Sequence, residues 1–173
     1  MPPHPSAGGQ LLQVPRVLRL WSVLVAALLL ATGLGWLQPL EKALAAEMAA
    51  RPVPAWYFLL FILVGALLPL ALRLLHGRRP QVRQVLDPYL ALLAGQIAAE
   101  GVLTRAGGKG LGVLVGMVFT LLRLWQLKLL WPLGADPPWL RRWLGVELVL
   151  WCLNALQMVA FRWLPILGVK GVL

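Results

Sequence analysis

Apolar residues run nearly unbroken through five stretches of this chain, roughly residues 20–37, 55–75, 86–103, 111–131 and 143–164. Each is close to the ~20 residues an α-helix needs to cross the hydrocarbon core of a bilayer. The pattern predicts an all-α integral membrane protein, a bundle of about five transmembrane helices. Residues 1–15, rich in proline at their start, read as a flexible tail, and residues 16–173 as a single polytopic membrane domain. The connections are too short to hold a separate soluble domain.

The polar positions between the stretches mark the ends of the helices. Residues 39–50 carry Leu40, Ala43, Leu44 and Met48 at helical spacing, with Glu41, Lys42 and Glu47 on other faces, which predicts a short interfacial helix after the first span. Pro52 and Pro54 end it. Pro69 predicts a kink in the second span, and Asp87-Pro88 predicts the N-cap and first turn of the third. Gly107, Gly108 and Gly110 form a tight turn that makes the third and fourth spans an antiparallel hairpin. Trp21 and Trp36 bracket the first span as an interfacial aromatic belt does.

The first stretch also resembles a cleavable signal peptide, with Arg16 and Arg19 before it and Ala43-Leu44-Ala45 after it. Its apolar run of about 18 residues exceeds the ~7–15 of a signal core. It is read as a retained span; cleavage would leave four.

Polar residues inside the spans form a second pattern. At 100° per residue, Tyr89, Gln96 and Glu100 share a face of the third helix; Gly112, Gly116, Arg123 and Gln126 share one on the fourth; Glu147, Asn154 and Gln157 share one on the fifth. Polar groups at membrane depth face protein or water. The expected intramembrane polar core is therefore Gln96, Glu100, Thr120, Arg123, Glu147, Asn154 and Gln157. Similar depth makes Arg123 and Glu147 the expected ion pair, and Arg162 is expected to reach toward Glu100 and Gln157. Gly95, Ala99, Gly108, Gly112 and Gly116 recur at intervals that let helix backbones approach closely, and read as helix-packing positions.

Composition and charge sharpen this picture. The chain has 173 residues, 60% hydrophobic and 13% charged, with a net charge of +10. The basic residues flank apolar stretches, where topology and anionic lipid place them, so the charge does not indicate nucleic acid. With the N-terminus in the cytoplasm, nine Lys and Arg fall inside, among them Arg73, Arg78, Arg79 and Arg83, and six fall outside. That gives a cytoplasmic N-terminus. A bacterial inner membrane is the default location, and a thylakoid membrane has no different signature at this level.

Candidate chemistry is sparse. Cys152 is the single cysteine, and His4 and His76 have no partner at ligand spacing, so no metal or cofactor is expected. Gly107-Gly-Lys-Gly-Leu-Gly112 lacks the Ser or Thr and the glycine spacing of a phosphate loop. No nucleophile–base pairing or paired carboxylates appear, so the chain is read as a non-enzyme. The first functional reading is a small accessory subunit or assembly factor of a larger membrane complex. The second is a small oligomeric transporter or channel using the polar stripes. The third is a pigment- or lipid-binding module, with His76, Gln96 or Asn154 as ligand types for a magnesium porphyrin and Trp125 or Trp151 against its ring. Membrane lipids and a larger complex or a second copy of the chain are the expected partners.

Overall fold

The computed structural model describes residues 14–167, and every regular element among them is helical. The proline- and glycine-rich tail, His4 and Lys170 lie outside the described residues. We number the helices α1 (Val14–Gly33), α2 (Gln38–Ala50), α3 (Ala55–His76), α4 (Pro80–Gly107), α5 (Lys109–Leu130) and α6 (Pro138–Ile166). Four of them, α1, α3, α5 and α6, are long and apolar enough to cross a membrane.

The exception is α4, the expected third span. With 28 residues it is about 42 Å long, which suffices for a crossing. Its apolar run, however, is diluted by Asp87, Gln96, Glu100 and many alanines and glycines. It buries Val85, Leu86, Tyr89, Leu92 and Leu103 against its neighbours. The helix also starts earlier than expected, at Pro80, and runs through Pro88. Asp87 is not its N-cap: the carboxylate accepts hydrogen bonds from Nε and Nη2 of Arg73 at the end of α3. An ion partner on the preceding helix thus replaces the capping role.

The hairpin of α4 and α5 forms as the turn composition predicts. Its joint is Gly108, whose φ of 103° lies in the region that favours glycine. Gly108 is thus in the turn rather than within a helix, and it is also a position of close approach, since a Cβ there would overlap the Glu41 carboxylate. The other small residues serve different neighbours rather than one interface. A Cβ on Gly112 would sit 3.1 Å from Thr104 Oγ1 on α4, and one on Gly116 would sit 2.9 Å from Met158 Cε on α6. Gly95 lies beneath the Trp21 indole of α1, and Ala99 is buried. Trp21 is therefore a packing residue rather than part of an interfacial belt, whereas Trp36 is exposed.

The helix expected after the first span is present as α2, and it is held by more than its amphipathic face. Leu44 is fully buried, and the backbone of α2 crosses so close to the start of α5 that a Cβ on Gly110 would overlap the Glu41 carbonyl. Helix α5 is the centre of the bundle, with α1, α2, α4 and α6 packed around it.

Candidate functional site

Proline, glycine and aromatic residues set up the polar core. Pro69 in α3 has no N–H to offer the carbonyl of Gly65 one turn earlier. The chain there, Phe61–Leu67, is wound as a π-helix, the wider turn that often marks a functional site. The Tyr89 hydroxyl of α4 lies 2.9 Å from the Gly65 carbonyl and 2.7 Å from Glu147 Oε2 of α6, so two acceptors share its single proton. Trp151 Nε1 also donates to Glu147 Oε2, at 3.0 Å.

Arg123 of α5 is fully buried. Its Nη1 donates to the Tyr89 carbonyl at 3.0 Å and to Gln126 Oε1, and Gln126 Nε2 donates to the Pro88 carbonyl at 2.8 Å. The guanidinium lies 3.8 Å from the centroid of the Tyr89 ring and 4.8 Å from that of Phe119. The expected direct pair with Glu147 does not form: among the described residues the one ion pair is Arg73–Asp87. Tyr89 stands between the two charges, its ring facing the cation and its hydroxyl facing the carboxylate. A π face against guanidinium and a hydrogen bond to carboxylate are both strong in a desolvated site, which is why the intervening phenol is stable there.

A second set lies beside it. Tyr57 donates to Asn154 Oδ1, Asn154 Nδ2 donates to Thr120 Oγ1, and Thr120 donates to the Gly116 carbonyl, each at 2.7 Å. These bonds tie α3, α6 and α5 together. Of the seven residues expected in the polar core, Thr120, Arg123, Glu147 and Asn154 are thus buried and bonded inside the bundle. Gln96, Glu100 and Gln157 are not in that network; they line a groove adjoining it.

The groove has a volume of about 430 Å³ and is walled by α3, α4, α5 and α6, with Met48 of α2 at its rim. Tyr57, Phe61 and Trp151 form an aromatic side, with centroids 4.9 Å apart for Tyr57–Phe61 and 5.1 Å for Phe61–Trp151. Facing it, Gln96, Glu100 and Thr104 climb α4 at four-residue intervals. Lys109 and the buried Arg162 also line it. Phe58, Ile62 and Ile97 line the same groove and are exposed, so it opens between α3 and α4. Both π-helical segments, Phe61–Leu67 and Val159–Trp163, contribute to its wall. Arg162 does not reach toward Glu100 and Gln157 as expected: its Nη1 donates to the Glu47 carbonyl at 2.9 Å and anchors the end of α2.

The porphyrin ligand types fare unequally. His76 packs against Trp139 with the rings tilted and centroids 4.9 Å apart, and is not in the groove wall. Both amide atoms of Asn154 are engaged within the protein. Trp151 is buried and Trp125 is exposed on the outer surface. Among the described residues no cluster of His, Cys, Asp or Glu could hold a metal ion. Residue spacing put Tyr89 on the polar face of its helix but did not reveal Tyr57 or Gly65 as site residues; the signal available was Pro69, which has no N–H for the Gly65 carbonyl that Tyr89 meets.

No protein family, curated protein or solved structure matches this chain.

Proposed function

We propose that this chain is a five-span, non-enzymatic membrane protein that holds one amphipathic hydrophobic molecule in the groove between α3 and α6. The groove itself carries this reading. It is concave and mostly apolar, with a minority of polar groups contributed by several of its helices, and its size falls within the ~300–1,000 Å³ of small-molecule sites. It opens on the side where exposed Phe58, Ile62 and Ile97 face outward, so a ligand tail can lie along the helices while its polar end is inside. Transport is less well supported, because Thr120, Arg123, Glu147 and Asn154 are buried in the packed bundle and each is hydrogen-bonded to a neighbour there, although Arg123 Nε and Nη2 and Glu147 Oε1 have no partner among the described residues. In this reading α4 is the third span, shielded on one side by protein, and the N-terminus is cytoplasmic in a bacterial inner membrane.

The test is purification in mild detergent followed by organic extraction and mass spectrometry. Wild type should release a defined hydrophobic compound in near-stoichiometric amount. Ile97→Trp fills the groove mouth from an exposed position, and should fold normally and lose the compound. Equal lipid from both proteins, with no enriched species, rejects the reading.

A second reading, an accessory subunit of a larger complex, has its own observation. Ala91, Ala94, Ala98 and Gly101 lie along the outer side of α4, and nothing lies within 4 Å of a Cβ placed on Gly101. Small residues in such a row suit a close-packed partner helix. Ala94→Leu with Ala98→Leu should displace a co-purifying partner. An unchanged set of co-purified proteins counts against it.

A further inference from the structure

The charged residues of the groove collect at one end of it. Glu100 lies about two turns before the end of α4, Lys109 opens α5, and Arg162 lies about one turn before the end of α6. All three are thus at the end of the bundle where α2 crosses. Glu100 rests against the first turn of α5, where its Oε1 would lie 3.8 Å from a Cβ on Gly112. Opposite charges are neighbours here, yet none is paired: among the described residues the one ion pair is Arg73–Asp87, at the other end of α4. Arg162 is 3% exposed and spends Nη1 on the Glu47 carbonyl, a neutral acceptor. Buried Arg123 is met by aromatic faces, whereas Arg162 lies in the wall of a cavity. A buried guanidinium without an anion is costly, so the cavity beside Arg162 favours one. Glu100 and Lys109 are exposed and open to the same occupant. Below Glu100 the lining is mainly apolar, with Ile62, Leu93 and Ile97, and both isoleucines face outward where lipid chains lie.

We propose that the occupant is a phospholipid whose head carries both a phosphate and a primary ammonium, the chemistry of phosphatidylethanolamine. The proposal rests on the reading of the groove as a ligand site. The phosphate lies between Arg162 and Lys109, the ammonium donates to the Glu100 carboxylate, and the acyl chains run past Ile62 and Ile97. Each charge in the lining then meets its opposite. A fatty acid leaves Glu100 facing an anion, and a neutral ring leaves Arg162 without one. Phosphatidylglycerol satisfies the cations but brings only neutral hydroxyls to Glu100. Phosphatidylcholine brings a cation with no N–H to donate. Hydrogen bonds between ionised groups are about twice as strong as neutral ones, which favours the ammonium over both.

The experiment is native mass spectrometry of the detergent-purified chain, equilibrated with an equimolar mixture of phosphatidylethanolamine, phosphatidylcholine and phosphatidylglycerol of distinct masses. Wild type should bind one lipid per chain and prefer phosphatidylethanolamine to each competitor by about 10-fold, the ratio that one hydrogen bond to a charged group corresponds to. Glu100→Leu, a change at an exposed position, should still bind lipid but bring the ethanolamine-to-choline ratio near one. Lys109→Gln, also exposed, should weaken all three lipids and leave that ratio unchanged. Ile97→Trp should bind none. A wild-type ratio near one, dominance of either competitor, or a preference unchanged in Glu100→Leu overturns the proposal. Unchanged affinities in Lys109→Gln, or lipid retained by Ile97→Trp, overturn it as well, because the head or the whole lipid then lies elsewhere. If no phospholipid binds but organic extraction of wild type releases another enriched compound, the proposal fails and the groove reading stands. If neither is found, both fail.

Discussion

Replacing Tyr89 by phenylalanine removes one oxygen atom and keeps the ring that faces Arg123 at 3.8 Å. That oxygen serves Glu147 at 2.7 Å and the Gly65 carbonyl at 2.9 Å, and both acceptors are buried. In soluble proteins a hydrogen bond to a charged group contributes about 1.5–3 kcal/mol. Interhelical bonds in membranes average about 0.6 and reach about 1.7 kcal/mol, because the unfolded chain in the bilayer finds other partners. One donor lost to two buried acceptors belongs at the upper end of the membrane range. We expect Tyr89→Phe to cost about 1.7 kcal/mol, near a 20-fold change in the unfolding equilibrium. Tyr89→Ala, which also removes a buried aromatic ring and its cation–π contact, should exceed about 4 kcal/mol. The assay is equilibrium unfolding by steric trapping or detergent titration. A cycle with Glu147→Gln isolates the shared bond, and the two changes should be less than additive by at least about 0.5 kcal/mol. A Tyr89→Phe variant as stable as wild type, or strict additivity with Glu147→Gln, would refute the intervening role of the phenol.

Other positions give independent checks. Gly110→Ala places a methyl on the Glu41 carbonyl and should cost about 1–3 kcal/mol, read as a lower melting temperature and as protease access to α2; an unchanged protein rejects the close crossing. Asn154→Ala leaves the Tyr57 hydroxyl without its acceptor and removes the donor to Thr120 Oγ1, and should cost about 1–2 kcal/mol in the same unfolding assay; a cost near zero means that water replaces it. In a Cys152→Ser background, single cysteines at Arg79 and Arg105 report the two ends of α4. An impermeant thiol reagent added to intact cells should label the second and not the first. Labelling of both from one side contradicts the crossing of α4.

Much of this architecture is legible in the sequence, because lipid-facing helices must be apolar along their whole length. Helices α1, α3, α5 and α6 all announce themselves that way. Helix α4 is harder to read because one face, with Val82, Val85, Leu86, Tyr89 and Leu92, is buried against protein, so helical length and apolar length separate. Its N-terminus was misplaced because Asp87-Pro88 carries the composition of a cap, while the nearby Arg73 takes the carboxylate. In the polar core, matching depth placed Arg123 and Glu147 near each other correctly, yet depth does not reveal what stands between two side chains. Tyr89 was assigned to the same face as Gln96 and Glu100. The helices close around the first and diverge around the other two, so one stripe supplies both the sealed network and the groove wall. The glycines were legible as small residues but not by neighbour, since whether a position meets α1, α2, α4 or α6 depends on the three-dimensional path.

The central claim is that the groove holds a molecule, and native mass spectrometry of the chain released from mild detergent tests it most directly. Wild type should carry one small-molecule adduct of defined mass per chain, and equally folded Ile97→Trp should appear at its bare mass. Wild type at its bare mass, or the same adduct retained in Ile97→Trp, would contradict it.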